Sequence, residues 1–136
     1  MKDLPKERAF AIYNDRYYLA PHFDDVCKAS PLIACELVDI GVNQGVPQAA
    51  GYLQKALNLF NLRGTSFADV VVDYNVGPGT LDSLKKFLNL RGIMGEKVML
   101  KALTCMQGAR YIDIGEKNPK LEDYEFGWFA NRVAFP

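Results

Sequence analysis

Residues 30–45 read SPLIACELVDIGVNQG, and the fold turns on this stretch. Ser30 followed by Pro31 is a helix start: the hydroxyl can accept from an unpaired backbone N–H, and proline lacks an amide hydrogen where the first turn has no use for one. From Leu32 to Val42 the chain is apolar almost all round, which predicts a central helix buried on most of its surface. Gly45 supplies a stop and Pro47 a new start. Within the apolar run, Glu36, Asp39 and Asn43 stand at i, i+3 and i+7 and so share one face. Charge on a buried helix needs a partner. One reading is functional: a carboxylate that donates or accepts a proton, beside an amide that orients a water or an acetamido group. The structural reading has Glu36 facing solvent, Asp39 in a hydrogen bond and Asn43 capping the helix end.

On either side the pattern stays helical. Lys6 to Tyr18, with Pro5 in its first turn, places Ala9, Phe10, Ile12, Tyr13 and Tyr17 at mixed three- and four-residue spacings and should end before Pro21. Ala49 to Phe60 repeats apolar residues at Ala50, Leu53, Ala56, Leu57 and Phe60, so it should form a helical hairpin with the central helix. Residues 61–66 are polar and contain Gly64, hence a loop, and Val70 to Val72 favour a short extended or hairpin segment near residues 69–77. Gly77, Pro78 and Gly79 break the chain, Thr80 can cap a helix carrying Leu81, Leu84, Phe87 and Leu88, and Gly92 should stop it. The longest helix is expected from about Gly95 to Lys117. Gly108 and Gly115 inside it cost about 1 kcal/mol each relative to alanine, which implies close approach of another helix. Pro119 ends that helix, and Leu121 to Val133 makes a last amphipathic one. With no internal repeat or flexible linker, residues 1–136 read as a single, mainly α domain.

Composition narrows the function. With 16 Lys and Arg against 16 Asp and Glu, no global field draws the chain to nucleic acid. No stretch approaches the roughly 18 apolar residues that span a bilayer, so membrane insertion is not expected. Met1 to Phe10 holds no hydrophobic signal core, which reads as a soluble chain made in the cytoplasm. Cys27, Cys35 and Cys105 have no spacing with the single His22 that would build a zinc site, and are expected as reduced, buried thiols. His22 reads as a surface residue, and neither a metal nor a cofactor is implied. Lys97, Lys101, Lys117 and Arg110 read as a solvated face of the long helix. Tyr13, Tyr17, Tyr18 and Trp128 suit core packing or stacking on a sugar face, with Tyr18 the first choice for the latter.

Four separated motifs carry a resemblance: Val42–Gly45 (VNQG), Tyr52–Asn58 (YLQKALN), Asp73–Leu84 (DYNVGPGTLDSL) and Tyr111–Arg132. Together and in this order they resemble glycoside hydrolase family 108, which includes phage endolysins and bacterial proteins called secretion activators. Its C-terminal half is described as a peptidoglycan domain, expected here over about residues 30–134. The resemblance implies a lysozyme-like helical fold, peptidoglycan as partner, and action in the periplasm or at the wall after holin- or secretion-dependent release. Asp39 and Asn43 match the family's Asp-x-x-x-Asn and Tyr111 and Trp128 its characteristic ending, and with Tyr18, chosen for its ring, they are the expected substrate contacts. The family's general acid stands in a Glu-Gly-Gly motif, and none occurs in these 136 residues. Cleaving a glycosidic bond needs a protonated carboxyl beside the leaving oxygen. The expectation is therefore a muramidase-family chain lacking its N-terminal catalytic segment and inactive alone, with no catalytic residue assigned; Glu36, which falls where the family commonly has a small apolar residue, is the one position to test as a substitute acid. Pure peptidoglycan binding is the alternative, and so is a protein-interaction role in which a homodimer or partner segment covers exposed apolar surface. Tyr74 departs from the glycine that usually follows the aspartate of the Asp-Gly-x-x-Gly-Pro turn.

Overall fold

Ser30 Oγ accepts from the Ile33 amide at 3.2 Å and Pro31 fills the first position of the central helix in a computed structural model that describes residues 6–133. Pro5 lies outside the described residues. Six α-helices follow one another: α1 (Lys6–Asn14), α2 (Phe23–Ala29), α3 (Pro31–Gln44), α4 (Val46–Leu59), α5 (Pro78–Lys117) and α6 (Glu122–Arg132). A π-helical turn, Asp15–Leu19, extends α1, and a short 3-10 turn, Pro119–Leu121, leads into α6. The fold is mainly α, and no strand forms among the described residues.

The core gathers on α3. Ile33, Leu37 and Ile40 are wholly buried against Phe23 and Val26 of α2, Leu53 and Leu57 of α4, and Leu84, Phe87, Met99 and Leu103 of α5. Gly45, at φ +106, ends α3 in a conformation that side chains resist, and α4 starts at once with Pro47 in its first turn. This is the expected hairpin. The central helix is nevertheless less enclosed than its composition predicts: Leu32 is 57% exposed, Val42 is 37% exposed, and Cys35 lies on the same outward face. Cys105 is exposed as well and Cys27 half-buried, so the expectation of buried thiols fails. Apolar character all round a helix tells how much of it could be buried, not whether a neighbour covers every side.

The segment expected as extended or hairpin forms neither a strand nor a hairpin among the described residues. Side-chain amides of α4 take the place of a partner strand. Asn58 donates to the Val70 carbonyl at 2.9 Å and accepts from the Val70 amide at 2.8 Å, as a neighbouring strand would. Gln54, one turn earlier and wholly buried, accepts from the Tyr74 amide at 3.0 Å and donates to Asp73 Oδ1, the Asn75 carbonyl and Thr80 Oγ1. Thr80 is thus a buried partner of Gln54 rather than a cap, because α5 already starts at Pro78. Tyr74 has φ +65, the left-handed backbone that explains the family's glycine there. Its ring fits because Gly51 lies beneath it: a Cβ on Gly51 would stand 2.6 Å from the Tyr74 ring.

Gly92, at φ 63 and ψ −145, breaks α5 where a helix stop was expected. The second half of α5 carries α6. A Cβ on Gly108 would meet Phe129 at 3.5 Å, and one on Gly115 would meet Glu125 at 3.1 Å, so these glycines do mark the close approach of another helix.

Candidate functional site

Glu36, Asp39 and Asn43 line the edge of α3 that faces α5, each half-buried. Asn43 Nδ2 donates to the Asp39 carbonyl at 2.9 Å and to Asp39 Oδ1 at 3.2 Å, leaving its own carbonyl oxygen to accept from outside. Opposite them α5 contributes Gln107, wholly buried, whose side-chain amide sits between the two carboxyls. One end lies 3.4 Å from Asp39 Oδ2, and the other lies 3.1 Å from Glu36 Oε1 and 3.3 Å from the Arg132 carbonyl. An amide donates at one end and accepts at the other. Its oxygen therefore faces a carboxyl oxygen in either orientation, which favours one proton on the pair.

Burial, and secondarily the charge of Asp39, push the Glu36 carboxyl up to about 7, so Glu36 is the member that holds this proton near neutrality. With Glu36 protonated, its hydroxyl donates to Gln107 Oε1 while Nε2 donates to Asp39. With Glu36 ionised, the reversed amide donates to Glu36 and to the Arg132 carbonyl.

A second line of polar groups backs the first. Tyr52 donates from its hydroxyl to Gln44 Oε1 at 2.7 Å, and Gln44 Nε2 donates to the Gln107 backbone carbonyl at 3.0 Å, which ties α3, α4 and α5 together at this level. Burial raises the Tyr52 phenol above its ordinary range. One turn on from Gln107 is Tyr111, 2% exposed and stacked under Trp128 at 5.0 Å between ring centroids. A ring so covered has no face to offer a sugar, and the assignment of Tyr111 to substrate contact is corrected to support of Trp128 from beneath. Half-buried Trp128 also stacks on Tyr124 at 6.2 Å, and Tyr124, 60% exposed, carries the aromatic ladder to the surface.

Tyr18 stands apart from this seam. It lines an apolar groove of about 480 Å³ with Phe10, Tyr13, Asn14, Tyr17 and Val38. Sequence reasoning missed Gln107 and Tyr124. The signal available for Gln107 was its register: Leu103, Gln107 and Tyr111 follow at four-residue steps on the buried face of α5. His22, Asp24 and Asp25 bring possible metal-ligand atoms within 4.8 Å of one another. The grouping is accounted for by pairing, since Asp25 lies 3.5 Å from His22 Nδ1 and 3.2 Å from Lys28 Nζ.

A mainly helical core with a carboxyl–amide seam along its central helix and aromatic rings at the margin places the chain in the mainly α class. Sequence comparison gives the particular family. The family described as Predicted Peptidoglycan domain matches residues 48–133, more than half of the chain, and Glycosyl hydrolase 108 matches residues 1–45. The chain belongs to the predicted peptidoglycan domain family, joined to a glycosyl hydrolase 108 segment, and its function is directed at peptidoglycan. No curated protein matches the chain. The two matched stretches meet at the turn between α3 and α4 and share one core; the seam takes Asp39 and Asn43 from the first and Gln107 from the second. No described helix is long and apolar enough to cross a membrane.

Proposed function

We propose that these residues hold peptidoglycan glycan strands along the α3–α5 seam and do not cut them unaided. The arrangement of Glu36, Asp39, Asn43 and Gln107 carries this reading. It sets Glu36, Asp39 and Asn43, held from behind by the buried Gln107 amide, where hydroxyl and acetamido groups of a glycan can exchange hydrogen bonds with them. Trp128 and Tyr124 supply an apolar face for a sugar ring beside the seam. Two facts support binding without cleavage. The family's Glu-Gly-Gly acid does not occur in these residues, and the Glu36 carboxyl lies against the buried Gln107 amide, 3.1 Å away. On this reading residues 1–136 act as one domain at the cell wall, made in the cytoplasm and reaching the wall by a holin- or secretion-dependent route.

The chain is expected to pellet with insoluble peptidoglycan well above an albumin control and to leave the turbidity of purified walls unchanged. Asp39→Ala with Asn43→Ala should lower the pelleted fraction about tenfold, the scale of losing one or two hydrogen bonds to ligand. Pelleting no better than albumin would sink the binding reading. Clearing of the walls would sink the non-cutting part, and Glu36→Gln would then show whether Glu36 supplies the proton.

A second reading rests on a separate observation. Phe10 is 72% and Tyr13 55% exposed beside the Tyr18 groove, an apolar surface that suits a second copy of the chain or a partner segment. Light scattering showing a dimer that Phe10→Asp dissociates would support it, and a monomer at all concentrations would exclude the second copy.

A further inference from the structure

The break in α5 makes a corner that the peptidoglycan reading does not use. Gly92 takes φ 63 and ψ −145, a conformation that a side chain would resist, and the helix changes direction there. Residues 89–94 are all exposed as a result. The side chains at this corner are largely apolar: Leu90 is 58%, Ile93 75% and Met94 67% exposed. Beside them, the end of α4 and its following loop bring Leu59, 70% exposed, and Leu62, 54% exposed, into one groove of about 280 Å³ with Met94 and Arg91. That loop is held outward by design of its backbone. Leu62 and Arg63 have φ +53 and +60, and the Asn61 side chain, which is buried, accepts from the Gly64 amide at 2.9 Å and donates to Asp69.

Most of the charge around this apolar corner is basic, and the Asp69 carboxylate of the adjoining loop is taken up by Asn61. Arg63, Lys85, Arg91, Lys97 and Lys101 are all exposed, and none of them pairs with a carboxylate among the described residues. Lys86 is paired with Asp82 at 3.0 Å. The one carboxylate in residues 85–101, Glu96, accepts from buried Ser30 at 2.5 Å and so is directed to the α2–α3 junction. A chain with no net charge has thus collected unpaired cations around its exposed leucine, isoleucine and methionine side chains.

We propose that this corner docks peripherally on an anionic lipid surface, with Leu90, Ile93 and Met94 entering the interfacial layer and Arg63 and Arg91 meeting the headgroups. Apolar side chains with a basic rim gain from both halves of such an interface: burial of hydrocarbon, and attraction to lipid phosphate. A glycan would leave the leucines without partners. A second copy of the chain meeting corner to corner would set like charges against each other, Arg91 and Arg63 included. The surface is one-sided and short, which suits docking on a bilayer rather than crossing it, and a wall-directed protein that also rests on the membrane would be concentrated at the site where new wall is close by.

The test is sedimentation of the full chain with vesicles, with no peptidoglycan present, so that its result is independent of the wall-binding reading. The chain should pellet with mixed phosphatidylcholine–phosphatidylglycerol vesicles and not with phosphatidylcholine alone, and should release as salt rises. Replacing Leu90, Ile93 and Met94 by serine together should abolish pelleting. Because all three are exposed, helical circular dichroism should be unchanged. Arg63→Gln with Arg91→Gln, which leaves every apolar contact in place, should weaken binding about fivefold for each arginine. No pelleting with the mixed vesicles, or equal pelleting by the serine variant, would overturn the proposal. So would a dimer in light scattering that the serine variant converts to monomer, since the corner would then be a self-interface.

Discussion

An unfolded glutamate gives up its proton near pH 4.5; in the folded chain burial beside Asp39 holds the Glu36 proton to about 7. Between those two values the folded state binds more protons than the unfolded one, so stability from this group is full below about 4.5, falls as pH rises and levels off above 7. Glu36 is only half-buried and partly screened by water, which reduces the cost of its ionised form to about 1–2 kcal/mol. Glu36→Gln should therefore be more stable than the parent at pH 8 by about that amount and no more stable at pH 4. Urea unfolding of both proteins at the two pH values measures this; equal stabilities at pH 8 would remove the basis for a raised Glu36. The sequence shows Glu36, Asp39 and Asn43 on one face, since that follows from helical spacing. It does not show Gln107, which is 68 residues from Asp39 and is brought to it only by the packing of α5 on α3.

At the scale of the element, α4 does the work expected of a strand. Gln54 and Asn58 stand one helical turn apart and serve backbone groups of residues 70–75 that have no strand partner. Branched side chains at Val70 to Val72 read as extended, and no strand forms there; the partner was not legible, because a single amide pair on a helix leaves no period-two pattern to read. Gln54→Ala strips partners from the Tyr74 amide, the Asn75 carbonyl and Thr80 Oγ1 at once. The expected cost is about 2–4 kcal/mol, since several groups in a buried or half-buried setting lose their hydrogen bond together. Thermal unfolding should show it, and limited proteolysis should cut within residues 68–77 sooner than in the parent. Unchanged stability and cleavage would mean that the loop is held by its own turns. The same loop lowers the Asp73 carboxyl below its usual range, first through the Gln54 hydrogen bond, so the anchoring persists at neutral pH and is lost only as acid protonates Asp73.

For the whole molecule, equal numbers of basic and acidic residues conceal a division of charge between surfaces. The seam presents carboxyls and the Gly92 corner presents cations. Peptidoglycan stems carry free carboxylates, so an ionised Glu36 opposes wall binding and a protonated one does not. As pH falls from 8 to 6 through the Glu36 value of about 7, pelleting with peptidoglycan should strengthen, by about fivefold for one neutralised charge in an aqueous setting. The groups facing Glu36 are the Asp39 carboxyl and the neutral Gln107 amide, and the change is assigned to Glu36, whose carboxyl burial pushes up to about 7. Glu36→Gln should bind equally at both pH values; retention of the pH dependence in that variant would place the titrating group elsewhere.

By itself the sequence determined the helical class, the hairpin turn at Gly45, the break at Gly92, the glycines beneath α6 and the family, because each of these depends on local backbone preference or on motif order. Only the tertiary structure decided which sides of the helices are covered. Cys35, Leu32 and Val42 look like core from their chemistry and lie outside because no helix packs on that side of α3 among the described residues. Tyr111 looks like a sugar platform and lies inside because α6 closes over it. Burial is a property of a residue's distant neighbours, and the seam around Gln107 exists only where three helices bring theirs together.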